Sequence, residues 1–391
     1  MKKIILFLAP LLMINGCQDE LYNKPTEDYT SHQGIYFTQQ SLQAFVAEGS
    51  SSTIDELKLN LVNKENKNSF ATIEYGDEKQ LEAYNKENGT SYIMLPKDMY
   101  NAKSSVSIKP NYITSSIPIQ LKDLKFSREG DYALPIKIIG GSADVIKGQS
   151  EAILVLNQKI ITKVLKLTGS GTANGEMFED DFKVDQWTME VMVNRSEYRY
   201  NNRSIAGTKT VKNADALDEI FTRFGDVTIR PNQLQIKTGA SQIDIPSDKL
   251  SAEPNKWYML SFVYDGKFTK VYVNGQLVAN REIRTGKYGL TGLWISSSNE
   301  LIREVRFWKT ARTDQQIKDN VWKMVNPDDD GLLLYYPMNG KKLNRETGEI
   351  TEDETEIWDW SKSQKNLPMP SDAKFVNQNN GEGFLFPPVS E

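Results

Sequence analysis

Histidine and cysteine are almost missing from this chain, which has one of each in 391 residues, His32 and Cys17. A single cysteine excludes an internal disulfide and any cysteine-based metal cluster. Triad hydrolases need a histidine inside a formed pocket, and zinc sites draw on His and Cys. His32 lies in the polar stretch Lys24 to Gln33, which reads as a tether, so both classes are disfavoured. Long apolar runs are missing too. The stretch Ile4 to Ile14 is broken by Pro10, and it is far shorter than the roughly 20 residues a membrane-spanning helix needs. Nor does one sign of charge dominate: 47 Lys and Arg are interspersed with 52 Asp and Glu, for a net charge of −5. Nucleic-acid recognition wants a clustered basic face, so no nucleic-acid partner is expected.

What is present begins at the N-terminus. Lys2 and Lys3 precede the short apolar stretch, which ends in Met13-Ile14-Asn15-Gly16-Cys17. These are the size and flanks of a secretory signal. The small residue before Cys17 resembles a bacterial lipobox. That resemblance implies a signal peptide over residues 1–16, lipidation of Cys17, and a lipidated tether over residues 17–33. Stable anchoring takes more than one acyl chain, at about 0.8 kcal/mol per buried methylene. Gln18-Asp19-Glu20 resembles the surface-export signal of Bacteroidetes lipoproteins. The expected location is therefore the outer membrane, lipid-anchored and facing the exterior.

A first domain is expected over residues 34–158. Leu57, Leu59 and Leu61 alternate with Lys58, Asn60 and Val62, the period of a strand with one buried face. Several further β-like segments follow, separated by turn residues. One short helix is predicted over Asp77 to Asn88, with Asp77 as cap, Gln80 at the capping-box position, and Gly89 as stop. This pattern reads as an Ig-like β-sandwich with one inserted short helix. The segment Leu81-Glu82-Ala83-Tyr84-Asn85-Lys86-Glu87-Asn88-Gly89-Thr90, with Tyr92 and Leu95-Pro96, resembles a domain of unknown function common in Bacteroides surface proteins. In that family it often precedes a family-18 endo-β-N-acetylglucosaminidase. The resemblance implies N-glycans as the ligand class by association.

A second domain is expected over residues 163–391. Trp257 to Tyr264, Thr269 to Val273 and Gln276 to Val278 read as three consecutive antiparallel strands, because Asn274-Gly275 is a strong two-residue hairpin signal. Ile302 to Trp308 is another strand, and Thr313 with Gln316 forms a capping box for a short helix. Trp187-Thr188-Met189-Glu190, Lys256-Trp257-Tyr258, Val271 to Gly275, Glu304 to Trp308 with Ala311-Arg312-Thr313, and Leu333 to Tyr336 together resemble the laminin G-like families. That resemblance implies a concanavalin A-like jelly roll whose concave face or loop edge often binds glycan. The whole chain is thus expected to be all-β.

Jelly rolls of this class include glycosidases, which need two carboxylates about 5–9 Å apart. The E-x-D-x-x-E strand of family 16 is absent, as is the D-x-x-D-x-D-x-E strand of family 18. The acidic run Glu352, Asp353, Glu354, Glu356 lies in polar, loop-like sequence. No enzyme activity and no resident cofactor are expected. Calcium is a candidate ion, because laminin G-like folds bind it through carboxylates and backbone oxygens. Asp328-Asp329-Asp330-Gly331 and Glu179-Asp180-Asp181 are the segments considered for it, with a turn before a strand as the competing account of each.

Sugar binding calls for exposed aromatics beside amide and guanidinium groups. Tyr198, Arg199, Tyr200, Asn202 and Arg203 supply that chemistry in one polar stretch, and Arg223 and Asp226 are a second choice. In an extended stretch Tyr198 and Tyr200 would face one side as a stacking platform. Trp187, Trp257 and Trp308 are expected in the core, and Trp294, in the run Leu293-Trp294-Ile295, reads as core ahead of a stacking platform. The function read from the sequence is a non-catalytic surface glycan-binding lipoprotein, working beside an outer-membrane glycan importer and surface glycosidases. The competing reading is an adhesion or scaffold protein with a non-carbohydrate partner, since a fold does not fix a function; a glycoside hydrolase comes third.

Overall fold

The computed structural model describes residues 33–388, except Ser50, Gly89, Ser91, 127–130, 211–217 and Asn379. Cys17, His32 and the expected helix stop Gly89 lie outside the described residues.

The first sandwich packs two small sheets against a larger one. Gly34–Phe37 lies between Asp144–Val145 and Lys58–Leu61, which in turn pairs Thr114–Ser116. Ile119–Leu121 joins Thr53–Ile54 to Tyr100–Ala102. The larger sheet runs Ser41–Ala47, Glu151–Thr162, Tyr132–Gly141, Ser69–Tyr75, Ser105–Ile108. One apolar cluster draws Phe37, Leu59 and Leu61 from the first sheet, Ile119 from the second, and Ile73, Ile136 and Leu154 from the third. The other face of the large sheet is covered by the helix Glu78–Asn88, whose Leu81 packs on Ala133, Ile153 and Val155. Asp77 caps that helix through the Lys79 amide at 2.9 Å. Gln80 does not close the capping box; its side chain donates instead to the Ala152 carbonyl at 3.1 Å, tying helix to sheet. Asn85 then folds the chain back, donating to Tyr92 O at 2.8 Å and accepting from Tyr92 N at 3.0 Å.

The second sandwich faces an eight-stranded sheet with a six-stranded one. The larger has the order Gln276–Arg281, Thr269–Val273, Trp257–Tyr264, Trp187–Asn194, Leu301–Trp308, Val164–Lys166, Lys374–Val376, with Leu332–Tyr336 also paired to Leu301–Trp308. The smaller has the order Thr172–Asn174, Gly292–Ile295, Arg203–Lys209, Ile220–Phe224, Leu234–Thr238, Ser241–Asp244. Trp187, Leu260, Phe262 and Phe307 from one sheet meet Ile205, Phe224, Ile236 and Leu293 from the other in a shared core. The predicted hairpin turns at Asn274 and Gly275, with φ of 49° and 78°, the left-handed pair that such a turn requires. The Thr313–Gln316 capping box is present, on a helix over Asp314–Asp319.

The sandwiches share a strand. Glu151–Thr162 belongs to the first, yet its last residues Ile160, Ile161 and Thr162 pair with Phe386, Leu385 and Phe384 near the C-terminus. Lys163 alone then separates it from Val164–Lys166 in the second sandwich.

Candidate functional site

The loop between Asn194 and Arg203 is held from inside by Arg195. This guanidinium is 3% exposed and donates to Ser204 O at 2.9 Å and to Asn299 Oδ1 at 2.6 Å. Burial pulls its pKa down to about 10, with the Arg203 charge adding to the fall and the Glu300 charge opposing it. Asn299 in turn donates to Ile205 O at 2.7 Å, and the Glu300 carboxylate accepts from Ser196 N at 3.1 Å. The loops 195–202 and 296–300 are therefore stitched together. Between them lies a cleft of about 410 Å³, lined by Tyr198, Arg199, Tyr200, Arg203, Ser297 and Glu300 among others.

The candidate residues divide into two groups. Tyr198, Arg199, Tyr200 and Arg203 line this cleft. Asn202, Arg223 and Asp226 form a bonded network beside it. Arg223 donates to Asn202 Oδ1 at 2.7 Å and to Gln235 Oε1 at 2.6 Å, and it pairs with Asp226. Gln235 donates onward to Asp226 at 3.1 Å and to Asp244 at 2.6 Å. Burial opposes ionisation of Asp226, but the Val227 amide, Gln235 and Arg223 together hold its carboxyl below the usual carboxylate range. These groups spend their hydrogen bonds on one another and brace the sheet edge under the loop.

Tyr198 and Tyr200 do not form the expected platform, because the chain between Asn194 and Arg203 is not a strand. Tyr198 turns inward, edge-on to Phe224 with centroids 5.0 Å apart, and its buried hydroxyl has no hydrogen-bond partner. Tyr200 turns outward, 55% exposed, with the Arg203 guanidinium 4.9 Å from its ring centre. Arg199 is exposed and pairs with Glu197 at 3.1 Å.

Ser297 carries the cleft onto the outer face of the six-stranded sheet, where a hollow of about 380 Å³ runs over Ser204, Phe221 and Trp294. Trp294 was expected in the core. Its neighbours Leu293 and Ile295 are there, but strand alternation sends Trp294 to the opposite face, where it is half-buried. It lies against Gly207, the strand partner where a Cβ would come within 2.5 Å of the indole. The indole N–H donates to Thr208 O at 3.1 Å, and Phe221 sits 5.2 Å away. Glycine opposite tryptophan thus fixes a ring on an open sheet face. Sequence reasoning missed Trp294 and Phe221. The signal was the alternation of Leu293-Trp294-Ile295 itself.

The acidic segments are engaged locally. Glu352 and Glu354 both pair with Lys163, at 3.2 and 2.8 Å. Asp328 pairs with Arg345 and Asp330 with Lys362, while Asp329 accepts from the Gly331 amide at 2.7 Å. Among the described residues, no group of three or more His, Cys, Asp or Glu is placed to hold a metal ion.

Residues 169–318 match the family model of the Concanavalin A-like lectin/glucanases superfamily, and residues 29–145 match a second model, of an N-terminal domain. The second sandwich is thus a concanavalin A-like domain. The chain is similar to a Bacteroides ovatus protein proposed to bind carbohydrate, at 21% identity, covering 88% of this chain and 98% of that one, with a TM-score of 0.52. At that level the two share a fold. Weaker likeness extends to Bacteroides thetaiotamicron EndoBT-3987 with Man5GlcNAc product, at 17% identity over 32% of this chain and 30% of that one, TM-score 0.27. A Limulus polyphemus SAP-like pentraxin is 16% identical over 52% of this chain and 92% of that one, TM-score 0.30. No curated protein matches the chain.

Proposed function

We propose that this chain is a non-catalytic glycan-binding lipoprotein of the bacterial cell surface, and that its second sandwich holds oligosaccharide in the groove from Tyr200 to Trp294. The observation that carries this reading is the Trp294 ring, braced on Gly207 beside Phe221 and reached through Ser297 from the Tyr200–Arg203 cleft. Sugar rings stack on aromatic faces, and hydroxyls and guanidinium groups at the rim pair with sugar hydroxyls. The fold shared with a protein proposed to bind carbohydrate supports the same reading. So does the state of the nearby acids: Glu197 pairs with Arg199 and Glu300 with Ser196, an arrangement suited to fixing a loop rather than to proton transfer. In this role the protein captures glycan for an importer and glycosidases on the same surface, with N-glycans as the first class to try.

The test begins with a glycan array probed by the soluble chain. The best ligand is then titrated calorimetrically against wild type, Trp294→Ala, Tyr200→Ala and Tyr198→Ala. Loss of a stacked ring costs on the order of 1 kcal/mol or more, so Trp294→Ala should bind about tenfold more weakly. Tyr200→Ala should bind several-fold more weakly at unchanged melting temperature. Wild-type affinity in both Trp294→Ala and Tyr200→Ala sinks the groove. New reducing ends released from the bound glycan, and lost in Glu300→Gln, replace binding with hydrolysis. The anchor has its own test: Cys17→Ala should abolish labelling by a radioactive fatty acid, and labelling that persists removes the lipoprotein reading.

A further inference from the structure

The two sandwiches meet at a cleft that neither forms alone. The first supplies Phe45, Tyr92, Asn157 and Gln158; the second supplies Asp319 and Trp322, among others. Its volume is about 210 Å³, below the roughly 300–1,000 Å³ of sites for drug-sized ligands. That is room for one ring-sized group. Aromatic and carboxamide side chains dominate its walls.

Asn157 is the telling residue. It is 4% exposed, yet its Nδ2 has no hydrogen-bond partner, and it opens on this cleft. Buried side-chain amides are nearly always bonded, and leaving one unpaired is destabilising. An acceptor inside the cleft would satisfy it. Phe45, the strand partner of Asn157, is 42% exposed at the same place, an aromatic ring left in water. The charges along the walls compensate one another. Lys323 pairs with Asp131 across the domain boundary, and Lys318 lies on the same wall as Asp319. Asp319 accepts from Gln315 at 2.8 Å, and burial holds its carboxyl above the usual range against the pull of Gln315 and Lys323. A wall with no excess of either sign suits an uncharged ligand.

We propose that this inter-domain cleft is a second binding site, taking a single uncharged pyranose ring between the Tyr92, Trp322 and Phe45 side chains with a hydrogen bond from Asn157 Nδ2. The site is separate from the groove on the second sandwich, and its variants are different, so either assignment can fail without the other. A ligand here touches both sandwiches and fastens them together.

The experiment follows the indole N–H signal of Trp322 in the intact two-domain chain, assigned through Trp322→Phe, during titration with free glucose, mannose, galactose and N-acetylglucosamine and with their methyl glycosides. The expected result is a saturable shift of the Trp322 signal by at least one sugar, and one that persists in Trp294→Ala. Binding of the methyl glycoside as well marks the site as one for the end of a chain; binding of the free sugar alone marks it as one for a monosaccharide. Asn157→Leu keeps the side chain's bulk and removes the donor, so affinity should fall about tenfold while the melting temperature holds or rises. Phe45→Ala, at an exposed position, should also weaken binding and serves if Asn157→Leu does not fold. The proposal is overturned if no sugar moves Trp322, or if both variants bind as wild type does.

Discussion

A buried ionic cluster crosses the larger sheet of the second sandwich, and its residues show what sequence patterning conveys and what it hides. Glu304-Val305-Arg306-Phe307-Trp308 alternates in the manner of a strand with a polar, solvated face. In the structure that face is covered: Glu304 and Arg306 are fully buried, as is Glu190 on the neighbouring strand. Arg306 donates to Glu304 at 2.7 Å and to Glu190 at 3.3 Å; Trp308 Nε1 donates to Glu190 at 2.9 Å. Arg306 also bonds the Asn320 carbonyl at 3.2 Å, which pins the covering segment to the sheet. The alternation was legible, but the cover comes from a different stretch of chain and leaves no mark in the strand. Trp294 is the converse case, an apolar triplet whose middle residue faces outward. Arg306→Leu leaves two buried carboxylates poorly compensated, and breaking such a pair costs about 3–5 kcal/mol. Urea denaturation should show a loss of that size. A change below about 1 kcal/mol would mean that the network adds little to stability.

Elements with local signals came through the sequence well, and elements defined by distant contacts did not. The Asn274-Gly275 hairpin and the Thr313 cap are set by residues next to each other, and both stand where expected. The loop 195–202 looked extended, but its shape is decided by Arg195 reaching Asn299, more than a hundred positions away. The strand Phe384–Phe386 had no pattern to announce it. It is short and takes its place by pairing with Ile160–Thr162. Phe386 is fully buried, 5.1 Å from the Trp257 ring and 4.0 Å from the Arg303 guanidinium. Large-to-small changes of this kind cost about 3–5 kcal/mol. Phe386→Ala should lower stability by that amount and expose Trp257, seen as a red shift in its emission. Unaltered stability would show that the strand is an ornament on the junction rather than part of its core.

At the scale of the whole molecule, the order of the two sandwiches and their all-β character were legible, because each has its own run of strands and turns. Their fusion was not. Polar residues at Asn157, Gln158 and Lys159 look like a boundary, yet the strand Glu151–Thr162 passes through them without a break. Beyond them a small core of Ile160, Val164, Met192, Met259, Val321 and Phe386 belongs to neither sandwich alone, and Lys323 reaches Asp131 from the other side. Domains joined by a small polar interface generally move and unfold separately. Here a continuous strand, an apolar cluster and an ion pair act together, so the chain should unfold as one unit. Calorimetry of the intact protein should give a single transition with the calorimetric and van't Hoff enthalpies equal, the mark of two-state behaviour. Inserting a flexible Gly-Ser segment at Lys163 parts this strand from Val164–Lys166 without touching either main core. It should split the transition in two and weaken sugar binding at the inter-domain cleft, while leaving the Trp294 groove unchanged. Two transitions in the wild type would mean that the junction is a hinge, and the cleft would then have to be assembled by its ligand instead of waiting for it.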